Sequence, residues 1–356
     1  MNVPLSLLQR WQAGNCPQPE ELQQVLVEEL GNRDRALAFD ITPHNGLQAI
    51  ERRVELLQQV GDEVLQLCQN FAFGDIDRAR QTLWMLWLPL ALQIADRKSR
   101  LNRPLIQGIL GGQGTGKTTL AAVLRLILGK LNYSSTSISI DDLYKSYAER
   151  QELQRQDPRL IWRGPPGTHD VELGIQLLDS LRHPQPHQSI KIPRFDKSAY
   201  NGAGDRTAPE LIDPVDIVFF EGWFVGVRPV DEAVFDRAPP PIITPEDRRF
   251  ARDTNERLKA YLPLWQRLDR LLVLYPVDYR LSQQWRKEAE HKMKATGKTG
   301  MRDREIEQFV EYFWKALHPE LFIKPLVEQP GLAECAIALR GDRTVECLYR
   351  PGLREL

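Results

Sequence analysis

Gly111-Gly112-Gln113-Gly114-Thr115-Gly116-Lys117-Thr118 fits G-x-x-x-x-G-K-[ST], the phosphate-binding loop. Each residue type in it answers a separate demand of a polyphosphate. Glycines let backbone N–H groups face inward as an anion nest with no Cβ in the way. The unpaired N–H groups that open the next helix add the positive end of its dipole. Lys117 is placed to reach the β- and γ-phosphates, and the Thr118 hydroxyl to ligate Mg²⁺. The context agrees: Leu105 to Leu110 reads as a buried strand, and Leu120, Val123, Leu124 and Ile127 follow Thr119 at helical spacing. Gly111 to Thr119 is therefore expected to bind a nucleotide.

Two acidic positions follow strands of their own. Ser135 to Ile140 is a β-branched, serine-rich strand ending in Asp141-Asp142-Leu143-Tyr144, and Val215 to Phe220 is an apolar strand ending in Glu221-Gly222-Trp223. In α/β sheets ligands gather at the carboxyl ends of strands, so both would sit beside the phosphates. A carboxylate there can accept a substrate hydroxyl proton and touch Mg²⁺. One of the aspartates also suits the N-cap of the next helix, and Asp141 is the preferred catalytic group. Glu221 is aimed at Mg²⁺ or its water, which makes Thr118, Asp141 and Glu221 the metal set. A lone Glu before glycine differs from the Asp-Glu pair of ATP-hydrolysing motors. Neither the Asn-Lys-x-Asp motif of GTPases nor a Leu-Ser-Gly-Gly-Gln transporter signature occurs. The pattern favours phosphoryl transfer to an acceptor over hydrolysis.

Strands alternating with helices around this loop give an α/β fold. Residues 1–102 form an N-terminal helical extension without obvious chemistry, and 103–356 the kinase domain, with Asn102-Arg103-Pro104 at the boundary. In the extension, Pro19-Glu20-Glu21 opens one helix, Leu47 to Cys68 keeps helical spacing, and Asp75 to Arg97 is a third helix. Trp84 and Trp87 on that third helix read as core. A helix from Pro245 to Leu268 precedes a buried strand, Leu271 to Tyr275, and a hairpin, Glu334 to Tyr349, ends the chain. Between them two helices, Val277 to Lys294 and Asp303 to Leu317, carry Arg280, Arg286, Lys287, Lys292, Lys294, Lys298, Arg302 and Arg304. Such a pair is either a solvated face or a cationic lid that closes over the transferring phosphate; Arg286 and Arg302 are the lid candidates.

The chain has 356 residues, with 47 basic against 48 acidic side chains and a formal charge of −1. That balance exerts no pull toward nucleic acid or anionic membrane. The apolar run Leu83 to Leu92 is too short to span a bilayer and contains Pro89, and no signal peptide is recognisable at Pro4 to Leu8. Cys16, Cys68, Cys335 and Cys347 lack metal-ligand spacing and read as free thiols of a reducing, cytoplasmic compartment. Cys335 and Cys347 flank the hairpin turn, which leaves a redox pair as the alternative.

Two glycine-rich stretches remain, Arg163-Gly-Pro-Pro-Gly-Thr-His169-Asp170 and Arg194-Phe-Asp196-Lys197-Ser198 leading to Gly202-Ala-Gly-Asp-Arg206. Read alone, the first caps a helix starting near Thr168 and the second is a surface hairpin turn. With the phosphate loop, Ser139 to Tyr144 and Glu221-Gly222-Trp223, they resemble the D-glycerate 3-kinases of plants, fungi and cyanobacteria. Those belong to the uridine kinase/phosphoribulokinase branch of P-loop kinases. The resemblance runs from Arg103 to the C-terminus, departing at Leu143, where the wider superfamily often has Phe. It implies a five-stranded parallel sheet flanked by helices, ATP·Mg²⁺ as donor and D-glycerate as small-molecule acceptor. The implied transfer is to the 3-hydroxyl, with Asp141 as base, Glu221 on the Mg²⁺ side and Lys117 offsetting charge. A glycerate carboxylate needs an arginine fork or a backbone nest: Arg163, Arg194, Arg206 and Arg228 are candidates, with Lys197 beside them. His169 or Asp196 would hold the 2-hydroxyl. The alternatives are a kinase of the same fold acting on a nucleoside, pantothenate or a sugar phosphate, and a nucleotide-dependent switch or scaffold.

Overall fold

The computed structural model describes residues 3–354 apart from Ala72, Pro186, Thr296, Lys298 and Thr299; the expectation for Lys298 lies outside them. Helices α1 (Leu5–Gln12), α2 (Pro19–Gly31), α3 (Arg33–Ala38), α4 (Gly46–Asn70), α5 (Ile76–Thr82) and α6 (Leu88–Ser99) precede the first strand. Then come β1 (Leu105–Gly111), α7 (Lys117–Lys130), β2 (Ser135–Ser139), α8 (Tyr147–Gln156) and α9 (Val171–Arg182). A two-stranded insertion, β3 (Ile190–Asp196) and β4 (Asp205–Ile212), leads to β5 (Ile217–Gly222), α10 (Pro245–Leu258), α11 (Leu262–Trp265) and β6 (Arg270–Pro276). Helices α12 (Leu281–Ala295) and α13 (Asp303–Ala316) precede the closing hairpin, β7 (Cys335–Leu339) and β8 (Val345–Tyr349).

The main sheet has the order β2-β5-β1-β6-β7-β8. Its first five strands run parallel, as expected, and β8 adds an antiparallel edge. The two faces follow from the period-2 alternation of side chains along a strand. Leu105 and Ile109 of β1, Phe219 of β5, Leu272 and Leu274 of β6 and Ile337 of β7 point one way. They share a core with α7 and the N-terminal helices, including Trp84 and Leu57, both fully buried. Ile106, Leu110, Val218, Phe220 and Val273 point the other way, into a core completed by α9, α10 and α11.

The third predicted helix of the extension runs through a π-helical turn, Leu83–Trp87, between α5 and α6. Widening at that turn leaves the Met85 carbonyl to accept from Arg35, and Arg35 with Arg53 surrounds the buried Glu29. A buried charge paired and hydrogen-bonded this way fixes how α2, α3 and α4 meet. The helix expected over 245–268 is broken: Pro263 has no N–H to continue the ladder, and a 3-10 turn, Lys259–Tyr261, separates α10 from α11. The break turns Tyr261 toward the Arg163–Asp170 loop. Cys335 lies in the core of one sheet face and Cys347 against that of the other. The redox-pair alternative is thereby excluded, because side chains on opposite faces cannot bridge. Among the described residues no helix is long and apolar enough to cross a membrane.

Candidate active site

The register of the sheet brings the acids together. β5 lies between β1 and β2, and Glu221 stands opposite Ile109 on one side and Ser139 on the other. Glu221 thus lies one residue before the end of β5, beside the phosphate loop, and its partner Ser139 precedes Asp141 by two residues. Gly116, with φ of +82°, is the N-cap of α7, and Gly114 has φ of +80°; only glycine adopts this region at no steric cost. The Thr115 side chain folds back inside the loop to donate to the Gly112 carbonyl at 2.9 Å. The Gln113 Oε1 is buried without a partner.

At the start of α7 the Thr118 hydroxyl donates to Glu221 at 3.1 Å (Oε1) and 3.3 Å (Oε2). Lys117 lies within the fields of Glu221 and Asp141. Burial pushes its ammonium below the ordinary lysine range, and the two acids offset this only in part. Burial likewise pushes the Glu221 carboxyl up, against the pull of Lys117. A desolvated lysine between two acids gains most from a ligand carrying several negative charges. The donor set also suits Mg²⁺, which binds through one or two carboxylates, a hydroxyl and substrate phosphate oxygens. Among the described residues no group of three His, Cys, Asp or Glu side chains would hold a metal alone.

The two aspartates after β2 divide their roles. Asp142 accepts from the Ser139 N–H at 3.0 Å and from Arg194 at 2.9 Å, so it closes the turn. Asp141 takes the Lys197 ammonium at 2.7 Å. Burial opposes its charge, but Lys197 and a hydrogen bond from Tyr144 hold its carboxyl below the usual range. Tyr144 stacks on His169, ring centroids 4.6 Å apart. His169 is 2% exposed, and its Nδ1 meets the Tyr261 hydroxyl at 2.8 Å, while its Nε2 is buried without a partner. Burial lowers its pKa to about 3, so the ring is neutral near pH 7. Arg163 lies over the Tyr144 and Phe195 rings, 5.9 and 5.5 Å from their centroids. A single nitrogen, Nη1, donates to the Gly202 and Ala203 carbonyls at 2.7 and 3.0 Å.

No family model matches the sequence. It is 31% identical over 281 residues to the chloroplastic D-glycerate 3-kinase of Arabidopsis thaliana, an alignment covering 72% of this chain and 60% of that protein. It is 33% identical over 219 residues to the uncharacterized kinase mug58 of Schizosaccharomyces pombe, covering 59% of this chain and 79% of that one. Among solved structures, the D-glycerate 3-kinase from Cryptococcus neoformans aligns with a TM-score of 0.64 at 27% identity, over 73% of this chain and 96% of that one. The chain belongs to the D-glycerate 3-kinase family. The match spans somewhat under two thirds of the Arabidopsis member's length.

In this family member the other expected positions separate into those near the acids and those held elsewhere. Arg163, His169 and Lys197 gather around Asp141 and Tyr144. Arg194 is held between Asp142 and Glu210. Arg206 joins Asp170 to the Tyr144 carbonyl. Asp196 accepts from the N–H and hydroxyl of Ser198 inside its own turn, and Arg228 is exposed. In the α12–α13 pair, Arg286 reaches the buried Glu290, and Arg302 reaches Glu305 at the helix start.

Four residues near the site escaped the sequence reading. Tyr261 sits in a run that looks like ordinary core, and its hydroxyl takes the Gly167 N–H at 2.9 Å as well as His169. Tyr144 lay within a recognised motif but had no assigned role. Trp285 and Arg343 approach the phosphate loop from far along the chain, and no local pattern marks them.

Proposed function

We propose that this chain transfers the γ-phosphoryl group of ATP to the 3-hydroxyl of D-glycerate, giving 3-phosphoglycerate and ADP. One observation carries the reading. Thr118 meets Glu221, Lys117 lies within the fields of Glu221 and Asp141, and Tyr144, the neighbour of that aspartate, carries Arg163 and His169 on its ring.

The backbone amides from Gly112 to Thr118 hold the β- and γ-phosphates, and Lys117 neutralises charge that grows on the bridging oxygen. Thr118 and Glu221, with Asp141, hold Mg²⁺, which when bound screens the phosphate oxygens from one another. Arg163 turns part of its guanidinium from the backbone carbonyls to the glycerate carboxylate, exchanging a neutral acceptor for a charged one. The neutral His169 ring engages the 2-hydroxyl through Nε2. This orientation directs the 3-hydroxyl to Asp141, which takes its proton as the oxygen attacks phosphorus. The bond from phosphorus to the β–γ bridging oxygen breaks, and ADP departs with that electron pair. Lys197, now paired with Asp141, keeps the carboxylate ionised until the substrate arrives.

Purified full-length protein given ATP, Mg²⁺ and single acceptors tests the reading. D-glycerate releases ADP and yields 3-phosphoglycerate by phosphorus NMR. No glycerate-dependent ADP, or phosphate on the 2-hydroxyl, contradicts it.

A further inference from the structure

Arg343, at the tip of the C-terminal hairpin, faces the phosphate loop. Its φ is +68°, a region that a side-chain-bearing residue occupies only when its surroundings hold it. Those surroundings are specific. Nε donates to the Gly114 carbonyl at 3.1 Å, Nη2 meets Glu288 of α12 at 2.7 Å, and the guanidinium lies 5.2 Å from the centroid of the Trp285 ring. Trp285 is fully buried, and its indole N–H donates to the Gly341 carbonyl at 2.8 Å. It packs on Gly114 so closely that a Cβ there would lie 2.6 Å from its own.

The N-terminal helices grip the same turn from outside. Arg78 of α5 holds Asp342 by two bonds, Nη2 to Oδ2 at 2.6 Å and Nη1 to the carbonyl at 3.1 Å. The other oxygen of Asp342 caps the turn through the N–H and hydroxyl of Thr344. Below, Trp285 and Leu348 belong to the core shared with α4 to α6, and Ile76, Leu281 and Val345 pack against it. An unbroken set of contacts joins α5, the hairpin turn and the loop.

Glycines at positive φ leave a loop many backbone states, and a ligand that needs one of them binds more weakly for it. An external donor on the Gly114 carbonyl fixes the peptide plane between Gly114 and Thr115. We propose that the N-terminal helical layer, acting through Arg78, Asp342 and Arg343, braces the phosphate loop in its nucleotide-binding shape, with Arg343 as a positioning residue. This rests on the reading of the loop as a nucleotide site and gives residues 1–102 a part in the reaction.

The test uses the full chain: calorimetric ADP·Mg²⁺ binding, separate KM values for ATP and acceptor, and a melting curve. Arg343→Ala weakens ADP binding and raises the KM for ATP by ~10-fold, as expected for a lost hydrogen bond from a charged donor. The acceptor KM stays within ~2-fold, because no acceptor contact is touched. Arg78→Ala, losing an exposed ion pair, weakens ADP binding by only ~3-fold. The double variant is no weaker than Arg343→Ala alone, since Arg78 acts through Arg343. Arg343→Lys, which keeps the charge without the fork, restores only part of the affinity. Wild-type ADP affinity in Arg343→Ala overturns the brace. So does a parallel rise in both KM values with a fallen melting temperature. Should Arg343→Ala fail to fold, unchanged ADP affinity in Arg78→Ala overturns it alone. Absence of ADP binding in the wild-type chain would instead remove the nucleotide reading, and the brace with it.

Discussion

At the phosphate end of the site the chain offers backbone amides on a glycine loop, one half-buried lysine and a Thr118–Glu221 contact set by the register of three adjacent strands. At the acceptor end it offers long charged side chains, Lys197 and Arg163, reaching from the turn of the β3–β4 hairpin and from the loop between α8 and α9. The first end is formed by the sheet itself, and no group has to exchange partners for a phosphate to enter. The second is held by pairs that a substrate takes over: Lys197 occupies Asp141, and Arg163 rests on carbonyls. Rigid donors suit the part of the reaction in which charge develops. Replaceable partners suit recognition of a small anion that must enter and leave.

If that contrast is sound, damage at the phosphate end destroys turnover and damage at the acceptor end raises KM. Lys117→Ala should have the largest effect, a loss of ~10³-fold in kcat from a single desolvated charge at the transferring phosphate. Steady-state rates at saturating ATP measure it. Arg163→Lys should raise the KM for D-glycerate by ~10-fold or more with kcat nearly intact, because lysine keeps the charge but not the bidentate fork. Arg228→Ala, an exposed position, should leave both constants within ~2-fold. An equal effect at Arg163 and Arg228 would erase the distinction between a gathered and a remote arginine.

The smallest effect concerns stability. His169 and His318 are buried, with pKa values lowered to about 3 and about 4 from 6.5. Below pH 6.5 the unfolded chain therefore binds protons at these rings before the folded one does, and stability declines as the pH falls toward 4 and 3. Above 6.5 they contribute no slope. Glu221 and Asp142, both raised by burial, act in the opposite sense. The net expectation is a melting temperature ~5 °C lower at pH 5 than at pH 7, and His169→Asn should flatten that slope.

What could be read in the sequence divides along the same line. The phosphate loop is contiguous, so its residue types and spacing state its chemistry without the fold. The positions of Asp141 and Glu221 beside the loop were legible because each lies at the carboxyl end of a predicted strand, and such ends converge in a parallel sheet. The acceptor end was only half legible. Its arginines share a type, and type alone does not tell Arg163, resting on carbonyls, from Arg194, already held by Asp142 and Glu210. That difference is decided by pairing across the β3–β4 hairpin. Tyr261 was hidden for another reason: Pro263 breaks its helix and turns the ring toward His169, an effect the apolar pattern does not record. The antiparallel β8 is an ordinary hairpin strand in sequence, and only the sheet order makes it an edge.

Single-turnover transfer by Asp141→Asn, run beside its ATP affinity, tests most directly the claim that Asp141 takes the acceptor proton next to a preformed phosphate site. The account predicts that the variant still binds ATP, through the loop amides, Lys117, Thr118 and Glu221, and that transfer to D-glycerate at saturating ATP is slowed by at least ~10²-fold. Transfer at the wild-type rate under saturating ATP would contradict it.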